Sequence, residues 1–330
     1  MMKKIKLQTI VPFIAFAVIF LFFTIASKGK MVSAYNLGML IDQSMVIIII
    51  GSGMLFVVAQ GSIDLSVGVN LALSGVIGMW AATATGIPLL LIPVSLAVGA
   101  IIGLFNGAIV SMLKVPSFIL TIALLIGVPG IVHLIQTQIG AQYLSSSLRF
   151  LNMPAVKIPL FIVIVALMAV VFEFKKSGRY CRAIGENETV PKFVGVPITK
   201  VKILAFMLSG LMAGVGSIFS ILTVGGTSQT MGSFMEMKVA MAMFLGGVLV
   251  TGGTSAKIYK MLLGSFSITI IVNGLAIIGY PESQTSESVE GILLLLILIV
   301  TIIATGRDKK RGSPPDNEVL LDNQHVELTR

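Results

Sequence analysis

Charge is scarce in this sequence. Only 11% of its 330 residues are Asp, Glu, Lys or Arg, against about 25% in a soluble domain. So few charges cannot cover the surface of a fold that lives in water. Cysteine is nearly missing as well. Cys181 stands alone, which excludes an intramolecular disulfide framework and a multi-cysteine metal site. The two histidines, His133 and His325, show no paired metal-binding spacing. Neither an H-E-x-x-H nor a G-x-S-x-G pattern occurs, and no G-x-x-x-x-G-K-[ST] loop cradles a phosphate. A metalloenzyme, a triad hydrolase and a self-sufficient ATPase therefore drop out, leaving no catalytic residue and no metal ligand to name. The net charge of +9 does not point to nucleic acid, because the basic residues collect between apolar runs.

Those apolar runs dominate what is present. Hydrophobic residues make up 56% of the chain, and mean hydropathy is +1.01. A membrane-crossing helix needs about 20 mainly apolar residues. On that basis the pattern predicts an all-α polytopic bundle in the lipid bilayer. Spans fall near 9–26, 43–60, 66–85, 89–112, 117–136, 156–174, 202–224, 235–250, 258–280 and 288–305. With an internal N-terminus, only Lys28, Lys30, Arg149 and Lys157 land on outer segments, and Lys238 lies in or near a span. All other basic residues fall inside, as the positive-inside rule requires. Ten spans with both termini cytoplasmic is the consistent arrangement. The basic start Met1–Lys6 precedes an apolar run without a cleavage site, which predicts a retained first span. Residues 1–311 form the membrane-spanning unit. The polar tail 312–330, with Pro314 and Pro315, is predicted to be disordered.

One stretch breaks the apolar pattern, Gly61-Ser62-Ile63-Asp64-Leu65-Ser66-Val67-Gly68. An acid in such surroundings is costly and marks a substrate path or a structural pivot, and flanking glycines let the helix break there. Asp64 has two readings, a pathway group or a cap for the helix that follows. A second interrupted segment, Gly246-Gly247 through Thr251-Gly252-Gly253-Thr254, sits in the later half. Paired Gly-broken segments suggest two pseudo-repeated halves around a transport path. Candidates for the path or its gates are Gln60, Asp64, Ser66, Asn70, Asn106, Glu236 and Asn273, chosen for polarity and position. Gly99, Gly103 and Gly107 recur every four residues, as do Gly210 and Gly214. Such strips let helix backbones approach closely in lipid. Asn106 on the first strip faces either the packed interface or an aqueous cavity.

The largest inner loop, about 175–199, mixes acids with Val190, Phe193 and Val194. It reads either as a solvated connector or as a docking surface built on a short helix over Glu186–Val196. The Ser-rich outer segment Thr137–Pro154 is a candidate lip or gate.

Taken together, these motifs resemble the permease subunit of ribose-type bacterial ABC sugar importers, within the superfamily that includes branched-chain amino-acid permeases. The G-G-I-D-L-S-V-G box of that family is similar to Gln60–Gly68. Its G-x-x-x-G-x-x-N-G and V-P-x-F-I-x-T elements match Gly99–Gly107 and Lys114–Thr121. Its G-R-x-x-x-A-x-G-x-N loop matches Gly178–Glu188, and its late paired glycines match Leu245–Gly247 and Gly252-Gly253. Ser62 departs from the usual glycine, and Gly247–Thr251 is more apolar than the common form.

The resemblance implies a simple sugar, a pentose or hexose, as cargo. It also implies partner ATPase subunits that use the ATP, a binding protein outside, and a second permease copy or paralogue. It makes Gly185, Glu186, Asn187, Glu188 and Phe193 the ATPase coupling loop. A branched-chain amino acid, nucleoside or signalling sugar is the alternative cargo. An ion-coupled secondary carrier or a membrane scaffold is the alternative class.

Overall fold

The computed structural model describes residues 7–280 and the helical positions 291, 292 and 295. Among residues 7–280 eleven α-helices follow in order: α1 Leu7–Ala26, α2 Ala34–Ala59, α3 Val67–Thr85, α4 Leu91–Met112, α5 Ser117–Ile139, α6 Pro154–Glu173, α7 Lys176–Glu186, α8 Thr189–Phe193, α9 Ile198–Val224, α10 Met235–Leu245 and α11 Ile258–Ile277. Local chemistry sets their ends. The Ser33 hydroxyl accepts the Asn36 N–H at 3.3 Å to open α2, and Pro154 sits in the first turn of α6. Gly86 and Gly225 close α3 and α9 in the left-handed region, at φ 70° and 88°, a conformation glycine adopts without a Cβ clash.

Helix α2 is the centre of the bundle. Every residue from Ser44 to Gln60 is buried, so this apolar run contacts only protein. The longest interface is between α4 and α9, and it is built on the two glycine strips. A Cβ on Gly99 would strike the Gly210 carbonyl, one on Gly103 the Phe206 carbonyl, and one on Gly214 the Ser95 carbonyl. The strips are thus partners of each other, and their backbones meet without intervening side chains. Outward-facing apolar side chains on α4, α5 and α6 remain uncovered, as for surfaces that meet lipid.

Seven of the described helices are long and apolar enough to cross a membrane: α2 to α6, α9 and α11, with α4 counted together with the short 3-10 turn at Pro88–Leu90. A shorter apolar stretch, Ile10–Ala26, lies in α1. The span expected over 235–250 is an 11-residue helix instead. At 1.5 Å per residue it covers about 16 Å, roughly half a bilayer core. Gly246 and Gly247 stop it, with Gly247 at φ 82°, although the apolar composition continues. The span expected at 288–305 falls outside the described residues apart from positions 291, 292 and 295, as does the tail 312–330.

The outer segment expected as a lip carries a 3-10 stretch, Ser146–Asn152, and Tyr143 pairs with Gly226 across a single antiparallel bridge. The inner loop folds into two helices rather than one. Gly185 and Glu186 complete α7, and the short α8 covers only Thr189–Phe193.

Candidate functional site

The break between α2 and α3 returns the chain toward the middle of the bundle. There Asp64 is 1% exposed, and a carboxylate so placed must be hydrogen-bonded. Three donors serve it. Its Oδ1 accepts the Ser66 N–H at 3.0 Å and the Ser66 hydroxyl at 2.6 Å, while Oδ2 accepts the Ser209 hydroxyl at 2.8 Å. The Ser66 oxygen in turn accepts Nδ2–H of Asn106 at 2.8 Å. One buried network therefore ties the break to α3, α4 and α9. The bond to an amide two residues on closes an Asx turn ahead of α3, so the acid shapes the chain's re-entry into the helix.

The other candidates separate. Asn70 bridges α3 and α4, donating to the Gly99 carbonyl at 3.3 Å and accepting from Ser74 at 3.0 Å. Gln60 is buried at the end of α2, and neither of its side-chain polar atoms has a hydrogen-bond partner among the described residues. Glu236, in the first turn of α10, is also buried. Its carboxylate packs against Gly68, where a Cβ would collide with it. Asn273 lies toward the far end of α11, beside Gly274, which packs on Phe23 of α1. Asp64, Ser66 and Asn106 thus share a network, whereas Gln60, Glu236 and Asn273 make no hydrogen bond to it. Ser66 and Asn70 also border a cavity of about 200 Å³ among α3, α4 and α5, walled otherwise by apolar side chains. Ser209 was invisible in the sequence, 145 residues from Asp64. Its only local sign was a place beside the Gly210 strip.

The two glycine-broken segments meet. A Cβ on Gly252 would strike the Val58 carbonyl, and one on Gly61 would lie 3.3 Å from the Thr251 carbonyl. Gly185 of α7 fits between them, against the Ala59 carbonyl and the Gly253 N–H group. The adjoining Glu186 Oε1 accepts both the Thr254 N–H and its hydroxyl at 2.7 Å. Those bonds hold the Glu186 carboxyl below its ordinary range. Glu186 therefore secures the second break.

A second clamp holds α7. Arg182 donates to Glu173 at 2.8 Å and stacks over the Phe172 ring. Glu173 also accepts Lys257 at 3.4 Å and the Ile258 N–H at 3.2 Å, where α11 begins. Cys181, on the inward side of α7, is pushed up to about 12 by burial, which leaves its thiol protonated and unreactive.

The remaining loop residues face outward. Asn187 accepts the Thr189 N–H at 2.8 Å to start α8. Glu188 pairs with Lys202 at 2.7 Å. Phe193 is 87% exposed.

At the opposite end of the bundle, Lys157 is buried and donates to Asp42 and Thr223 at 2.9 Å and to Asn152 at 3.1 Å. Sequence alone had placed it only on an outer segment, with no partner assigned.

Comparison with known proteins adds relatives to this geometry. A family profile described as branched-chain amino acid transport system / permease component matches residues 36–302. The xylose transport system permease protein of Haemophilus influenzae is 28% identical, covering 91% of this chain and 98% of the relative. The fructose import permease protein of Rhizobium meliloti is 27% identical over 88% and 84%. The ribose import permease protein of Escherichia coli K12 is 29% identical over 80% and 85%. No solved structure matches significantly.

Proposed function

The chain belongs to the branched-chain amino acid transport system / permease component family, and from that membership we propose that it is the membrane permease subunit of an ABC importer moving a simple sugar, a pentose or hexose, into the cell. One observation carries the sugar assignment. Permeases named for xylose, fructose and ribose align with 80% or more of this chain. The importer is completed by partner ATPase subunits that consume the ATP, an external sugar-binding protein and a second permease. On this reading the chain is a transport subunit of a bacterial cell membrane and performs no chemistry of its own.

The α7–α8 end is the cytoplasmic one, since the basic loops collect there. Val190, Phe193 and Val194 stand exposed on it, supplying apolar contacts for the ATPase around a rim of charges. A push on that surface reaches α7, which is clamped to α6, α11 and the second break. The second break lies on the first through glycine contacts, and the first ends in the Asp64 network. Alternating access then amounts to moving the two broken segments together. The pathway itself needs only weakly binding walls, so that sugar leaves as readily as it enters.

The test is uptake in proteoliposomes holding permease, ATPase and binding protein, with ribose, xylose and fructose as cargoes. ATP-dependent accumulation insensitive to ionophores is expected. Uptake that persists without the ATPase and collapses with an ionophore would replace this function by ion-coupled carriage.

A further inference from the structure

Beside the coupling loop lies a half-open cavity of about 770 Å³, walled by the α4–α5 turn, the α8 segment, the start of α9 and the Gly61–Ser62 turn. Its size falls within the range of small-molecule sites. Its charge is lopsided. Lys114, Lys192 and Lys202 border it, against the single carboxylate of Glu188, and Glu188 is already bonded to Lys202. Lys114 and Lys192 form no ion pair among the described residues. Three ammonium groups against one carboxylate leave an uncompensated positive field in a concavity, which attracts anions.

The backbone adds to that field. Ser117 opens α5 and Thr199 lies in the first turn of α9, and both line the cavity. The first N–H groups of a helix have no partner within it and carry partial positive charge. Ser117 already accepts the Ile63 N–H at 3.2 Å, so its hydroxyl proton is left to donate into the cavity. Ammonium groups, hydroxyl donors and two helix starts around one space are the recognition chemistry of a phosphate.

The geometry points to a regulatory site for a phosphate-bearing anion. The space exceeds what a bare phosphate fills and leaves room for an attached organic part. The occupant touches three elements at once: the coupling-loop lysine Lys192, the α4–α5 turn at Lys114, and the turn that leads into Asp64. Its binding therefore biases how the loop and the break move together. This role rests on the transport reading above, whereas binding does not.

Two sources supply such a group, a phosphorylated sugar in solution and the headgroup of an anionic lipid. Glucose 6-phosphate is titrated calorimetrically onto purified permease in phosphatidylcholine nanodiscs. In parallel, native mass spectrometry counts lipids retained from nanodiscs with and without phosphatidylglycerol. Whichever probe binds should bind at least about tenfold more weakly to Lys114→Gln/Lys192→Gln, since each lysine near a phosphate surface is worth roughly a factor of several. The outer-segment pair Lys28→Gln/Lys30→Gln should bind as the parent does. Both cavity lysines are exposed, so folding should be untouched, and Lys192→Glu provides a second variant. Equal binding by parent and cavity variants, or no binding of either probe, overturns the site. Because the permease is tested without ATPase or cargo, that failure is distinct from a failure of sugar uptake.

Discussion

Glu186 at the end of α7 and Thr254 of the second break are joined by two hydrogen bonds to a single carboxylate oxygen, each 2.7 Å long. The bonds join the loop to the break directly, with no side chain between Gly185 and the Ala59 carbonyl to absorb a displacement. Glu186→Ala should therefore leave the outward-facing Phe193 surface able to hold the ATPase while lowering uptake. Co-purification measured beside transport separates the two effects. Loss of ATPase binding in this variant would show that Glu186 acts in docking and not in transmission.

The same pair has a pH signature. Thr254 lowers the Glu186 pKa, so the bonds' contribution is complete above the ordinary carboxylate pKa of about 4.3 and is lost as pH falls through the lowered value. Between pH 5 and 8 the contact should not vary. The protection factor of the Thr254 amide, its exchange rate taken relative to the pH-dependent intrinsic rate, should stay constant across that range and fall only in stronger acid. A change near neutral pH would contradict the assignment.

Asp64 gives a sharper contrast. Leucine at this position would leave the Ser66 N–H, the Ser66 hydroxyl and the Ser209 hydroxyl without their acceptor, at about 1–3 kcal/mol for each group left unsatisfied. Asparagine keeps one accepting oxygen, and the Ser209 hydroxyl can turn to accept its amide. Asp64→Leu should lower the thermal midpoint and the folded yield severely, and Asp64→Asn only mildly. Equal midpoints for the two variants would remove the network from any structural role.

Glycines in the α4–α9 interface should tolerate no side chain. Gly103→Ala places a methyl against the Phe206 carbonyl, and overpacking of this kind costs roughly 1–3 kcal/mol or more. Gly127→Ala, on α5 with nothing near its Cβ position, is the matched control. Thermal unfolding in detergent should separate the two, with Gly103→Ala the less stable.

Lys157 carries the last expectation. Replacing it with methionine removes three hydrogen bonds and leaves Asp42 without its cation. Asp42 is half-exposed and can take up water, so the loss should fall below the roughly 3–5 kcal/mol of a broken buried pair. The thermal midpoint should drop, and a second change, Asp42→Asn, should recover part of it.

How much of this could be read beforehand follows from the range of each interaction. The Gly99 and Gly210 strips declared themselves through four-residue spacing, because helix geometry is local. That they face each other was not written in either strip. Asp64 stood out as an acid among apolar residues, yet Ser209 of α9, which donates to it, and Asn106 of α4, which donates to Ser66, come from distant helices that only tertiary packing brings near. Hydropathy also misjudged α10, since Val248, Leu249 and Val250 continue an apolar run after Gly246 and Gly247 have ended the helix. Lys157 deceived in the opposite direction: a lysine at the start of an expected span gives no sign that three oxygens surround it.

The burial of α2 has a consequence for how the protein answers its surroundings. From Ser44 to Gln60 this helix is solvated entirely by its own chain, so changes of lipid thickness or headgroup cannot reach it directly. Its side chains obey the rules of a water-soluble core, where shape and volume decide, although it crosses a membrane. An Ile→Leu exchange here alters fit without altering hydrophobicity. Such an exchange on the outer faces of α4 or α5 would pass unnoticed by the bilayer, while on α2 it would be felt by the whole bundle.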